Sequence, residues 1–217
     1  MRTFAAAAVL AAVAGTASAD VITSWVNFGQ PGDQAASPVG TQAANVTGTP
    51  MTRGAGLGAN AGGNSLNSNG WDTLDSTDYI SFGFTVDAGY SVDLDTLWFG
   101  SRSSNSGPGS LAVYWSGDGF SSPIFSFAQS GTAFTNSIAN VSALSGLTGA
   151  NEFRIYAVDG TRADGGQGIS SSGTFRVGDH NDGTNFTEFR FEGTVVPAPA
   201  SAALLGLGGL VAVRRRR

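Results

Sequence analysis

The stretch Tyr79-Ile80-Ser81-Phe82-Gly83-Phe84-Thr85-Val86 decides the fold class. Ile80, Phe82, Phe84 and Val86 alternate with Tyr79, Ser81, Gly83 and Thr85. A period of two places the four large apolar side chains on one face of an extended strand, whereas a helix would scatter them around its axis. Beyond this strand, read as Asp78–Val86, the same alternation recurs at Asn151–Val158, where Phe153, Ile155 and Ala157 oppose Arg154, Tyr156 and Val158. It recurs again at Phe186–Val195, where Phe189 and Phe191 oppose Arg190 and Glu192. Further β-branched and aromatic runs predict strands at Val21–Phe28, Ser91–Gly100, Leu111–Ser116, Pro123–Phe127 and Gly173–Val177, each bounded by turn-forming residues. No stretch between Asp20 and Val196 sustains a 3.6-residue apolar period over three turns. Short strands with one apolar face need a second layer to cover it, so the expected fold is all-β: a single antiparallel β-sandwich of jelly-roll type over residues 20–195. The interval from Gln30 to Gly70 is the exception, being rich in Gly, Ala, Asn, Ser and Thr and poor in large apolar residues. Edge strands such as Ala43–Val46, or a loose wrap around the sandwich, are the expectations there.

Composition excludes several functions. The 217 residues include 32 Gly and no Cys, and every one of the 11 basic residues is Arg. Five of these (Arg2 and Arg214–Arg217) lie at the ends, leaving six against 16 acids in the middle, a net charge of −10 there. An acidic, Lys-free middle cannot supply the phosphate contacts of a nucleic-acid binder. Absence of Cys excludes disulfides, a thiolate nucleophile and Cys-ligated metals. His180 is the single histidine, so a two-histidine device cannot form within one chain.

Both ends read as addresses. Arg2, the apolar run Phe4–Ala14 and the small-residue site Ala17-Ser18-Ala19 match a secretory signal peptide over residues 1–19, with cleavage expected between Ala19 and Asp20. At the other end, residues 196–217 run Val196-Pro197-Ala198-Pro199, an apolar stretch Ala202–Val213, and Arg214-Arg215-Arg216-Arg217. Twelve apolar residues as a helix cover about 18 Å, short of a ~30 Å hydrocarbon core. The arginines are expected to stay on the cytoplasmic side.

This C-terminal segment resembles the PEP-CTERM sorting signal of Gram-negative bacteria, a short Pro-Glu-Pro motif followed by an apolar helix and a basic tail. Ala198 stands where that motif has Glu, making this a Pro-Ala-Pro variant. The resemblance implies processing by an exosortase-like membrane protease, transient residence in the inner membrane through the C-terminal helix, and association with extracellular polysaccharide. It implies export through the inner membrane to the cell surface or extracellular matrix. Residues 78–195 also resemble the β-rich ectodomains placed ahead of such signals, carried by Tyr79–Val86, Gly100–Ser104 with Gly107-Pro108-Gly109, and Glu152–Tyr156. The expected function is structural or adhesive, without catalysis.

Other side chains keep alternatives open. Trp71, in the polar setting Asn69-Gly70-Trp71-Asp72, and Tyr90, in Ala88-Gly89-Tyr90-Ser91, are candidates for stacking on sugar rings, which would make the domain a carbohydrate-binding module. Asp179, Asn181 and Asp182 crowd one turn and offer oxygen ligands to Ca²⁺, as do Asp72, Asp75 and Asp78, although Asx-rich turns also form for purely local reasons. Asp93 and Asp95 share one strand face, opposite Val92, Leu94 and Thr96. They read as a solvated face or as half of a glycoside hydrolase's carboxylate set. His180 is expected to be an exposed turn residue.

Overall fold

The computed structural model describes residues 20–131 and 133–198. The first half of the chain forms β1 (Asp20–Trp25), β2 (Ala36–Ser37), β3 (Val39–Gln42), β4 (Val46–Arg53), β5 (Gly58–Ala59), β6 (Ser65–Asn69), β7 (Tyr79–Val86) and β8 (Tyr90–Ser103). The second half forms β9 (Ser110–Trp115), β10 (Pro123–Ala128), β11 (Thr135–Asn140), β12 (Gly149–Ala157), β13 (Phe175–Gly178), β14 (His180–Asn181), β15 (Phe186–Thr187) and β16 (Phe189–Pro197). Among the described residues a single 3-10 turn, Ser116–Asp118, interrupts the strands.

These strands build an all-β sandwich. One sheet has the order β3-β1-β16-β8-β13-β6-β5, with β11 also paired to β8; the other has the order β10-β9-β12-β7-β4-β2, and β14 and β15 form a separate two-stranded ladder. All strand pairs are antiparallel. The chain passes from one sheet to the other at most connections, the wound path of a jelly-roll-like fold.

The alternating residues of β7, β12 and β16 meet between the sheets. Trp25 lies edge-on to Phe82 and Phe189 at centroid distances of 5.3 and 5.4 Å. Phe153 and Phe191 are 4.6 Å apart, and Phe99 meets Phe127 at 5.1 Å. Each fully buried Phe of this kind contributes about 2–3 kcal/mol relative to an exposed one. Trp25 also donates its indole N–H to the Thr49 carbonyl at 2.7 Å, so its one polar atom is satisfied inside the core.

The Gly/Asn-rich interval holds more structure than its composition announces. Val46–Arg53 is no edge fragment, because it pairs with β7 on one side and β2 on the other. Its ladder is irregular between Thr49 and Thr52, around Pro50. A bulge is where a strand tolerates a residue that cannot donate to the ladder. In β6, Ser65, Leu66, Asn67 and Ser68 are all buried, so polar side chains fill positions inside the sandwich. Arg53 makes that arrangement possible. Its guanidinium donates to the carbonyls of Gln34, Gly32 and Asn67 and to Ser68 Oγ, tying β4 of one sheet to β6 of the other.

Candidate functional site

The end segments meet the fold at neighbouring strands. Asp20, the residue expected to follow signal cleavage, opens β1 and pairs with Gly193 of β16. The last strand runs beyond its expected end at Val195: Val196 pairs with Ser91 and Pro197 with Tyr90, and Ala198 donates its N–H to the Gly89 carbonyl at 2.7 Å. Half of the Val196-Pro197-Ala198-Pro199 motif is therefore built into the larger sheet. Ala17, Ala19, Pro199 and Arg214–Arg217 lie outside the described residues.

Trp71 corrects the expectation of an exposed stacking aromatic. It is 0% exposed, lies edge-on to Phe175 at 5.5 Å, and donates its indole N–H to the Ser68 carbonyl at 3.1 Å. Neither ring face is open to a sugar. Its polar sequence neighbours are a turn that tucks the ring inward, a packing that local composition cannot report. Tyr90 is half-buried and packs against the core at the sandwich end.

The turn expected to offer calcium ligands is tied to the backbone. Asp179 is buried, and its carboxylate accepts N–H bonds from Asn27, Phe28 and Phe189 at 3.0–3.3 Å. Burial pushes its carboxyl above the usual range, while those three N–H donors pull the other way. Asp182 accepts from the N–H groups of Thr184 and Asn185, and Asn181 Oδ1 from Gly183 N–H. Both Asp179 oxygens, Asn181 Oδ1 and one oxygen of Asp182 are thus engaged by backbone donors, and among the described residues no cluster of three or more His, Asp or Glu is arranged to hold a metal. Asp78 is likewise buried and accepts from Thr73 Oγ1 and Asp75 N–H. His180 is buried rather than exposed, edge-on to Trp98 at 5.1 Å. Burial lowers its pKa, and Arg190 adds to the effect against the opposing pull of Asp182.

A bulge breaks the expected alternation at Asp93 and Asp95. Asp93 Oδ1 accepts the Gly146 N–H at 2.6 Å, and the ladder between β8 and β16 slips between Leu94 and Thr96, leaving Asp95 in a bulge. The slip reverses the alternation. Val92 and Leu94 point inward before it and Leu97 and Phe99 after it, so Thr96, expected inward, joins the outer face and donates to Glu192 Oε2 at 3.0 Å.

The feature the sequence reading missed is on the outer face of the six-stranded sheet. Here β7 presents Tyr79, β12 presents Glu152, Arg154 and Tyr156, and β9 presents Tyr114 directly across from Arg154. Tyr156 meets Tyr79 at 5.4 Å and Tyr114 edge-on at 5.6 Å. The Arg154 guanidinium lies 4.2 Å from the Tyr79 ring centroid and 4.1 Å from that of Phe120. Its Nε donates to Glu152 at 2.7 Å and Nη1 to the Tyr156 hydroxyl at 3.2 Å. Burial works against its charge, but Glu152 and Tyr156 outweigh that and hold its pKa above the ordinary value. Tyr114, Phe120, Arg154 and Tyr156, with Leu74 and Asp75, line a groove of about 690 Å³. The alternation had already turned Tyr79, Arg154 and Tyr156 outward; Tyr114 and Phe120 join them only through strand pairing and the turn after β9.

No family model, curated protein or solved structure matches this chain.

Proposed function

We propose that this protein is an exported structural or adhesive component of a bacterial cell surface or extracellular matrix, cut at both ends, and that it works by binding and not by catalysis. One observation carries the reading: among the described residues, both sheets and their shared core lie in the interval between the two segments read as processing signals. The last strand ends at Pro197, inside the Val196–Pro199 motif. An exosortase-like protease would release or transfer the sandwich without breaking it. Low charge density and a surface rich in Gly, Ser, Asn and Thr suit a hydrated polysaccharide matrix.

On this reading the cut falls beyond β16. Val196 and Pro197 are held in the ladder and Ala198 is bonded to Gly89, so a protease that binds extended chain reaches only bonds beyond Ala198 without peeling β16. The test is the intact mass and cell fraction of the protein in its own host. The expected form begins at Asp20, ends at or after Ala198, and sits at the surface or in the matrix. A form that retains Arg217 in the inner-membrane fraction overturns the reading.

A further inference from the structure

We propose that the outer-face groove of the six-stranded sheet binds a neutral polysaccharide, with Tyr114, Phe120, Tyr156 and Arg154 forming its stacking end. The proposal rests on the matrix reading above for where the ligand is met, and on the groove itself for the chemistry.

The lining suits a sugar on three counts. Aromatic faces and edges at a surface groove match the C–H face of a pyranose, which gains apolar burial and weak C–H contacts to the ring. Hydroxyls of Tyr114, Ser76 and Ser121 stand around them, each able to donate and accept toward sugar hydroxyls, while that of Tyr156 is engaged by Arg154 and the Ser76 carbonyl. Arg154 is locked by Glu152, Tyr156 and two aromatic rings, so ordering it on binding costs little.

Charge decides which class of polysaccharide. Arg154 is neutralised by Glu152, and Asp75 adds an anion whose carboxyl is held low by the Thr77 N–H and hydroxyl. This end of the groove therefore carries a net negative charge on an acidic domain, which repels a polyuronate and leaves a neutral glycan as the fitting ligand.

Two further observations single out this place. Leu74 and Phe120, both lining the groove, adopt φ of +51° and +58°. Such backbone is uncommon for large side chains and is maintained only where surrounding structure holds it. For Phe120 the holding group is visible: Asp118 accepts the N–H groups of Ser121 and Ser122 and shapes the turn that lifts the ring over Arg154. The face also continues into an adjoining recess of about 440 Å³ edged by Ser81, Thr85, Ser116 and Glu152. Its floor is Gly83, where a Cβ would lie 2.2 Å from the Asn151 carbonyl oxygen. A chain of several sugar units could lie along such a surface.

The experiment is affinity electrophoresis of the full chain in mild detergent through gels containing dextran, hydroxyethylcellulose or galactomannan, with alginate as the polyanionic comparison. Phe120→Gly is the informative variant, because glycine takes the positive φ without penalty and the fold is kept while the ring is lost. Tyr114→Ala is the second. Retardation by a neutral polymer, weakened about three- to tenfold by either variant as one stacking contact requires, is the expected result. No retardation by any neutral polymer, unchanged retardation in both variants, or preference for alginate overturns the proposal. Cell fractionation reads the matrix reading separately: variants that lose glycan binding yet still reach the matrix refute the groove as the retaining contact and leave the sorting untouched.

Discussion

Asp179 shows how a residue that looks like a ligand becomes part of the scaffold. Its carboxylate gathers three backbone N–H groups from two distant segments, the turn after β1 and the start of β16. Burial nevertheless dominates and raises its pKa. The sign of the pH dependence follows: the folded state binds the proton more tightly than the unfolded chain, so this residue's contribution to stability falls as pH rises from the unfolded pKa through the raised folded one. In Asp179→Asn that component disappears. The stability of wild type minus that of Asp179→Asn should be greatest near pH 4 and should decline toward pH 7, read from denaturant midpoints across the range. A difference that grows with pH would assign the dominant role to the three N–H donors instead. Trp71 carries the same lesson for aromatics, since a ring among polar neighbours turned out to be packed on Phe175.

Among the elements, β4 and β6 differ most from what composition suggests. A strand with Pro50 at a bulge and a strand of buried Ser and Asn lack an apolar signature, and Arg53 replaces it with hydrogen bonds. A lysine at this position keeps the charge but loses the planar fork that reaches four acceptor groups at once. Arg53→Lys should cost about 2–3 kcal/mol, the scale of a few buried carbonyls left poorly paired, and should lower the urea midpoint without changing the slope. The bulge at Asp95 is the second element-scale device. One inserted residue lets β8 present Val92 and Leu94, then Leu97 and Phe99, to the same core. Without it the second half of this 14-residue strand would turn its apolar side to solvent.

For the molecule as a whole, the first and last strands are partners. β1 pairs with β16 from Asp20↔Gly193 to Trp25↔Phe189, so the larger sheet closes only when the end of the chain arrives. Phe189 and Phe191 belong to the central aromatic cluster, and losing a buried Phe costs about 3–5 kcal/mol. A chain ending at Glu188 should fail to fold cooperatively, whereas one ending at Ala198 should keep the melting midpoint of the full chain. Circular dichroism melts of the two truncations check this. A marked drop on removing residues 199–217 would mean that the sandwich depends on its tail, against the domain boundary described here.

Hydrophobic alternation at Tyr79–Val86, Asn151–Val158 and Phe186–Val195 was enough to determine the all-β sandwich, because a period of two is a local property that survives any arrangement of the partners. The same alternation turned Tyr79, Arg154 and Tyr156 to the outside. It could not reveal β11, whose inward residues are Ser137 and Ala139, too small to leave an apolar trace. Nor could it report β4, β6 or the shift of face at Asp95, since a bulge and a buried polar network are set by neighbouring strands. Tertiary structure alone buried Trp71 and His180, spent the Asp179 carboxylate on backbone N–H groups, and brought Tyr114 and Phe120 to Arg154. The reason is physical: alternation depends on residues two apart, whereas burial and the groove depend on which strands, separated by tens of residues, become neighbours when the two sheets close on one core.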